Sequence, residues 1–316
     1  MVDLCGRVPG GRKRLPVWKG GKTVAWEYEG LFDVIPQDSG LLAEFWKSEA
    51  TAVRIGSMGY RTRTTKAGSR LEAEIYPIFG RLTEQKARAA KKNITPDRMR
   101  ALNMRNAKRQ LTLIMEENFD TFQDDTFTLT YAKEPEDLTR LKKDVRNFFL
   151  RVKRFRKKNG LPEGKYVYSV GRDADQRLHV HGAMTGGISE DDRIKLWGKG
   201  IVNASPLQTW GKGVQGYANY LFKQNELAKA RGERNGFHMW CGSRNLKKPK
   251  VHVSDTKISN RKVKTMAINF QALAKDILGK VYPGYQLEDG RVHFSDVVDG
   301  VYIRCVLRKM RGGGGT

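Results

Sequence analysis

Apolar positions repeat along this chain with two different periods, and the clearest repeat lies between residues 135 and 158. The apolar side chains there are three or four positions apart, which places them on one face of an α-helix; they are Leu138, Leu141, Val145, Phe148, Val152 and Phe155. The pattern predicts an amphipathic helix that Asn159-Gly160 ends. Its opposite face is basic and carries Lys142, Lys143, Arg146, Lys153, Arg154 and Arg156.

Alternation of β-branched and aromatic residues predicts strands on both sides of this helix. One strand is expected before it, at 127–131. After it, residues 165–170 lead through a turn rich in glycine and aspartate into a second strand at 177–184. Two neighbouring strands joined in this way predict a β-hairpin with a loose loop.

Further elements follow from the same two periods. Helices are expected to begin at Thr95-Pro96-Asp97, where a hydroxyl can cap and proline suits the first turn, and to occupy 189–197, 214–231 and 269–278. Strands are expected within 51–79, near 292 and at 301–307. The central order of strand, helix, strand, strand, helix, helix predicts an α+β fold, an antiparallel central sheet with flanking helices.

The length of 316 residues, with 39% hydrophobic residues, predicts more than one folded region. We divide the chain into a basic N-terminal region at 1–115, with strands and a basic helix, and a central domain at 116–255. A C-terminal α/β extension at 256–316 ends in a flexible glycine tail.

Charge narrows the class of partner. Lys and Arg number 59 against 34 Asp and Glu, a formal net charge of +25. A chain this basic is expected to bind a polyanion, with nucleic acid as the first candidate and an anionic membrane surface as the second. No apolar stretch approaches the roughly 20 residues that span a bilayer, and the N-terminus lacks the apolar core of a secretory signal. With three widely spaced cysteines, the expected compartment is the cytoplasm.

Two of the five histidines, His179 and His181, lie one residue apart in the predicted strand at 177–184. Alternate residues of a strand point to the same face, so both imidazoles are expected on one side and Val180 on the other. Two imidazoles placed together can supply two ligands of a metal site. The alternative is that they are ordinary polar residues on an exposed strand face.

A tyrosine and a lysine follow on the helix predicted at 214–231. Tyr220 and Lys223 are three positions apart and are therefore neighbours on one face, with Tyr217 on the same stripe. A phenol has a pKa of about 10 and is a weak nucleophile, but a nearby cation and a divalent metal stabilise both the phenolate and the charge that develops on a phosphate. The residues therefore indicate phosphoryl transfer, although tyrosines at helical spacing are more commonly packing residues.

The strand at 127–131, His-Val-His at 179–181 and Tyr-x-x-Lys at 220–223 occur in an order that resembles the HUH endonucleases. Within that superfamily the chain is most similar to the rolling-circle replication initiators (Rep proteins) of bacterial plasmids and phages. The segments 76–79 and 243–249 resemble the same group, so the similarity covers roughly residues 70 to 255.

The resemblance implies a nuclease domain with a ferredoxin-like or RRM-like core that nicks single-stranded or hairpin origin DNA. A tyrosine attacks the phosphorus and stays joined to the 5′ phosphate, and a DNA polymerase extends the free 3′-OH. The implied metal, Mg²⁺ or Mn²⁺, is held by His179 and His181. Tyr220 is the implied nucleophile and Lys223 its neighbouring cation. A host helicase would separate the strands, because the sequence has no ATP-binding motif.

The chain departs from the family pattern at the third metal ligand. The family places a polar ligand, often glutamate, about one hairpin before the histidines, where this sequence has Ser169, Val170 and Gly171. Three polar residues of the following turn are open alternatives, namely Asp173, Asp175 and Gln176.

The identity of the nucleophile and the biological role also stay open. Tyr220 has a lysine three positions later whereas Tyr217 does not, so Tyr220 is preferred. An HUH transposase or a mobilisation relaxase would use the same metal and tyrosine. A nucleic-acid-binding protein without catalytic activity, with structural histidines, is the alternative from another class.

Overall fold

The computed structural model describes residues 59–78, 96–120, 123–172, 177–208, 213–230, 239–294 and 301–310, with the backbone alone at 96–98, 223–230 and 294. The strands of these residues are β1 Gly59–Ala67, β2 Arg70–Ile78, β3 Asp124–Thr130, β4 Tyr166–Arg172, β5 Leu178–Thr185, β6 Val202–Pro206, β7 Cys241–Gly242, β8 Lys250–Ser254, β9 Tyr285–Phe294 and β10 Val301–Lys309. The helices are α1 Pro96–Asn118, α2 Leu138–Lys158, α3 Glu190–Trp197, α4 Gln215–Ala230, α5 Asn260–Ile268 and α6 Phe270–Val281.

The fold class is α+β, as predicted, but the described residues form two antiparallel five-stranded sheets where the sequence predicted one central sheet. The first, which we call the histidine sheet, has the order β6-β3-β5-β4-β7. The second, which we call the terminal sheet, has the order β8-β1-β2-β10-β9. The described residues separate into two compact units, one within 103–248 that holds the histidine sheet and one from the flanking segments that holds the terminal sheet.

Alternation along the strands gives the histidine sheet two different faces. Phe127 and Leu129 of β3 and Val180 of β5 are buried with the apolar stripe of α2. On the opposite face, Val167 of β4 and Ala183 of β5 are buried against apolar residues of α1 and α4. Both faces are therefore covered by helices, and residues one position apart on β5 lie in different cores.

Helix α2 has the apolar stripe that the sequence predicts and begins three residues later than expected. Asp137 caps its N-terminus, because the Asp137 carboxylate accepts a hydrogen bond of 2.7 Å from the backbone N–H of Arg140. Asn159 caps the other end, and Gly160 follows with a positive φ of 66°. The cap residue, rather than the apolar pattern, sets where the helix begins.

Arg156 is not part of the exposed basic face to which the sequence pattern assigns it. Only 3% of its surface is exposed. Its guanidinium donates hydrogen bonds to the carbonyl oxygens of Pro162 at 2.7 Å, Gly186 at 2.8 Å and Thr185 at 3.2 Å. A buried cation needs such partners, and here they connect the end of α2 to the end of β5.

The terminal sheet joins segments that the sequence division placed in different regions. Strands β1 and β2 form a hairpin, and they pair with β8 and β10 from the far end of the chain. Its core contains apolar residues of the strands together with those of α5 and α6. Pairing between positions so distant in sequence leaves no local signal, so the sequence did not predict it.

Gly182 is needed for close packing beside the histidines. A Cβ at this position would overlap the carbonyl oxygen of Val167 and lie 2.5 Å from Cζ of Phe127. We therefore expect Gly182→Ala to lower the free energy of unfolding by about 1–3 kcal/mol, because the core would have to expand. Urea denaturation would measure it. Gly216→Ala, where a Cβ meets no atom within 4 Å, should have little effect; an equal loss in both variants would contradict the steric explanation.

Candidate functional site

Sheet register places the two histidines in the middle of the histidine sheet. Strand β5 lies between β3 and β4, so each histidine has a neighbour on both sides. His181 lies opposite Thr128 of β3 and Ser169 of β4. His179 lies opposite Thr130 and Gly171. Small residues flank the imidazoles, on the face that carries Ala183 rather than the face that carries Val180.

The two imidazoles are close together, as the strand alternation predicts. Their ring centroids are 5.8 Å apart. His179 is half-buried, whereas His181 is only 7% exposed. The Nδ1 atom of His181 is 2.9 Å from Oγ1 of Thr128. This hydroxyl fixes the orientation of the His181 ring, in the way that a second group commonly orients a metal-binding histidine.

The environment of His181 favours its neutral form. Burial, with a smaller contribution from the neighbouring His179, lowers the pKa of His181 to about 4. A neutral imidazole is the form that binds a metal ion. His181 therefore carries no proton at neutral pH, so a metal ion would not have to displace one from it.

This pKa has a consequence for the metal-free protein. Between pH of about 6.5 and 4 the unfolded chain binds a proton at position 181 and the folded protein does not, so stability falls as the pH falls through this interval. We expect the free energy of unfolding to fall by about 3 kcal/mol over that pH range because of His181. Urea denaturation in EDTA would show this as a stronger pH dependence in the wild type than in His181→Asn, whose amide can still reach Thr128. Equal pH dependence in the two proteins would contradict it.

Helix α4 brings a tyrosine against the histidine pair. The hydroxyl of Tyr220 is 3.4 Å from Nδ1 of His181, and the two rings meet edge to face with centroids 5.4 Å apart. The Tyr220 side chain remains 40% exposed. Its oxygen therefore lies beside an imidazole, on a residue that is partly open to solvent.

Tyr217 is close to the same site but its hydroxyl is occupied. It donates a hydrogen bond of 2.8 Å to the carbonyl oxygen of Gly182. The Tyr217 ring stacks against that of Tyr220 with centroids 5.8 Å apart. Tyr217 therefore supports the position of Tyr220 and joins helix α4 to strand β5.

Both phenols are less acidic than a free tyrosine. Burial raises the pKa of Tyr220, and it raises the pKa of Tyr217 further, with an additional contribution from Tyr220 itself. Forming a phenolate at either position therefore costs more free energy than in a free tyrosine, and a nearby positive charge would offset that cost. Lys223 belongs to α4, but its side chain lies outside the described part of the structure.

The two histidines fit a metal site in part. Their imidazoles are neighbours, and the hydroxyl of Thr128 contacts Nδ1 of His181, the histidine whose pKa is lowered. The described residues include no group of three or more His, Cys, Asp and Glu side chains arranged to hold a metal. Ser169 instead donates to the carbonyl oxygen of Met239 at 3.1 Å. The three candidates for a further ligand, Asp173, Asp175 and Gln176, lie outside the described residues.

Two residues of the site had no distinct signal in the sequence. Thr128 was part of a predicted strand, but its contact with His181 depends on the register between β3 and β5. Gly182 follows the histidines directly, and its carbonyl oxygen accepts the hydrogen bond from Tyr217. A glycine within a strand indicates close approach of another group, which was the available clue.

Comparisons with known proteins did not extend this description. No protein family, curated protein or solved structure matched the chain. Of the helices in the described part of the chain, none combines the length and apolar composition that crossing a membrane requires. Function is therefore inferred from the residues of the histidine sheet and helix α4.

Proposed function

We propose that this protein is a metal-dependent endonuclease that nicks and rejoins single-stranded DNA with Tyr220 as its nucleophile. The observation that carries the proposal is the position of the Tyr220 hydroxyl, 3.4 Å from Nδ1 of His181 on a residue that is 40% exposed, with His179 alongside. The α+β fold with an antiparallel sheet is compatible with an HUH nuclease core. The biological role that we propose is initiation of rolling-circle replication, with a host helicase and a DNA polymerase as partners.

His179 and His181 would hold the metal, Mg²⁺ or Mn²⁺, together with a ligand from elsewhere. Such an ion would polarise the scissile phosphate and stabilise the charge that develops on it. Because the hydroxyls of Thr128 and Tyr220 both approach Nδ1 of His181, its Nε2 is the nitrogen that we assign to the metal. Thr128 would orient the ring.

Tyr220 would carry the covalent step. Its phenolic oxygen forms a bond to the phosphorus while the bond from phosphorus to the 3′ oxygen breaks. The phenolic proton passes to solvent, and the leaving 3′ oxygen takes up a proton to become a free hydroxyl. The 5′ phosphate remains on Tyr220, and attack by a 3′-hydroxyl reverses the reaction and rejoins a strand. Lys223 would stabilise the negative charge of the phenolate.

The geometry supports Tyr220 over Tyr217. The Tyr217 hydroxyl is held by the Gly182 carbonyl, and its attack would first require that hydrogen bond to break. Tyr220 is more exposed than Tyr217, and the contact that its hydroxyl would leave, with Nδ1 of His181, is longer at 3.4 Å. The formal net charge of +25 supports a nucleic acid as the substrate, because phosphate binding releases counterions.

The proposal is tested by incubating the full chain with single-stranded oligonucleotides that cover the replicon encoding it. With Mn²⁺ we expect a protein–DNA adduct that survives denaturing electrophoresis, together with a shorter product that a polymerase can extend from its 3′ end. With EDTA neither product should form. Binding that is unaffected by EDTA, with no cleavage of any oligonucleotide, would instead identify a nucleic-acid-binding protein without catalytic activity.

A further inference from the structure

A second candidate site, rich in positive charge, lies on the face of the histidine sheet opposite the histidines. It is a groove of about 1010 Å³ between helix α2, strand β4, the edge strand β7 and the segment 243–245. The residues of α2 that line the groove are spaced mostly three or four positions apart, from Thr139 to Lys157. At 1.5 Å per residue the groove therefore follows about five turns of the helix, or about 27 Å. All of its lining residues belong to the unit within 103–248.

Positive charge dominates the rim of the groove. Six cations line it besides the buried Arg156 and the paired Lys153, namely Lys142, Lys143, Arg146, Lys157, Lys165 and Arg244. Of the described residues that line the groove, Glu163 alone is acidic, and it is 3.2 Å from Lys153 in an ion pair. The rim therefore suits a ligand with several negative charges in a row.

The floor is apolar and aromatic. Phe149 and Tyr166 stack in parallel with ring centroids 3.5 Å apart, and Tyr166 remains partly exposed. Leu150 is 41% exposed, although it is a large apolar side chain. A surface of this kind favours flat apolar groups, which a duplex keeps stacked inside but a single strand presents to its surroundings.

We propose that this groove binds single-stranded nucleic acid, with phosphates along the α2 rim and bases against Leu150 and Tyr166. The headgroups of an anionic membrane could pair with the cations of the rim, but these charged groups would not enter the apolar groove. A duplex would contact the rim through its phosphates and leave the floor unused. The combination of a cationic rim and an apolar floor therefore selects the single strand.

This site is independent of the proposed chemistry. Tyr168 of the groove lies next to Ser169, whose neighbour across the sheet is His181, and the alternation of β4 sends these side chains to opposite faces. Binding in the groove requires neither the histidines nor Tyr220, so it can be measured in EDTA. The groove would hold a strand on one face of the sheet while the histidine face remains available.

The test uses fluorescence anisotropy of a labelled oligothymidine of about 16 nucleotides, measured in EDTA with the full chain. In the groove variant, Lys143, Arg146 and Lys157 are replaced together by glutamine; all three are exposed. In the matched control, Arg154, Lys158 and Lys195 are replaced in the same way; they are also exposed and do not line the groove. Both triple variants change the net charge equally.

We expect the groove variant to bind roughly 100-fold more weakly at about 0.1 M salt, with the slope of log K against log salt reduced by about 2. The control should retain most of the affinity. A single replacement, Leu150→Asn, should weaken binding roughly fivefold without changing the slope. Far-UV circular dichroism would check that each variant is folded.

Four results would overturn the proposal. Equal losses in the groove variant and the control would show that charge acts without a specific groove. Tighter binding of a duplex of equal length, or full affinity in Leu150→Asn, would show that the floor takes no part. Groove-dependent binding of acidic phospholipid vesicles without oligothymidine binding would identify a membrane site. Absence of DNA cleavage would not contradict the groove proposal, because every binding measurement is made without metal.

Discussion

Tyr220→Phe is expected to abolish the covalent protein–DNA adduct, with a loss of at least roughly 1,000-fold, since no remaining atom at that position can bond to phosphorus. The substitution removes one oxygen and keeps the ring. The edge-to-face contact with His181 and the stack with Tyr217 should therefore persist. Adduct formation is measured with labelled cognate oligonucleotide and Mn²⁺ on a denaturing gel.

Tyr217→Phe is the matched control for this experiment. It removes the hydrogen bond to the Gly182 carbonyl and should cost about 1 kcal/mol of stability, but the adduct should still form. Loss of the adduct in Tyr217→Phe with retention in Tyr220→Phe would reverse the assignment of the nucleophile. Retention in both variants would refute tyrosine-based cleavage as a whole.

Trp197→Ala is expected to give the largest loss of stability among single replacements near the histidine sheet, about 4 kcal/mol. Trp197 is fully buried at the end of α3. Its ring meets Phe148 and Tyr131 edge to face, and its indole N–H donates a 2.8 Å hydrogen bond to the carbonyl oxygen of Thr130. Alanine would leave a large cavity and remove that bond.

The conservative variant Trp197→Phe separates these two contributions. It keeps an aromatic ring in the core but cannot donate to Thr130, so we expect a loss of about 1–2 kcal/mol. Urea denaturation monitored by circular dichroism would measure both variants. If Trp197→Ala lowered the free energy of unfolding by less than about 2 kcal/mol, the prediction would be wrong. Such a small loss would mean that the surrounding residues fill the cavity.

The local elements of the histidine sheet were predictable because their signals are local. The apolar stripe of α2 and the alternation around His179 and His181 depend only on neighbouring residues. The helix predicted at 189–197 begins beside Ser189, whose hydroxyl caps α3 by accepting a hydrogen bond from the backbone N–H of Asp192 at 3.2 Å. Each of these features is determined by residues fewer than about ten positions apart.

The hairpin of β4 and β5 was predicted, but the pairing of the other strands was not predictable in the same way. The short strands β6, β7 and β8 and the helix α5 were absent from the sequence prediction. Strand β7 has only two residues, Cys241–Gly242, and it exists because β4 offers it a partner. Such elements are defined by tertiary contacts, so their own composition carries little information.

The candidate site was predictable in residue type but not in arrangement. The spacing of Tyr217 and Tyr220 gave both tyrosines the same stripe and could not decide between them. The lysine at position 223 favoured Tyr220, and the structure adds a distinction between the partners of the two hydroxyls, the Gly182 carbonyl for Tyr217 and the His181 imidazole for Tyr220. Those partners come from β5, 35 or more positions earlier in the chain.

The interrupted terminal sheet also determines the order in which the protein is completed as it is made. Strand β2 ends at Ile78 and β8 begins at Lys250, so about 170 residues separate them. At about 5–20 residues per second, a ribosome takes roughly 10–30 s to make that segment. All five strands of the histidine sheet emerge during this interval, whereas the β1–β2 hairpin must wait for both of its neighbours.

Until β8 and β10 are synthesised, the β1–β2 hairpin has two unpaired edges, which are prone to pair with other chains. A chain truncated just before Val301 would therefore contain every strand of the histidine sheet but would lack β10. The edge of β2 that pairs with β10 would then be uncovered. Aggregation of such products would begin at β2, at a distance in sequence from the missing residues.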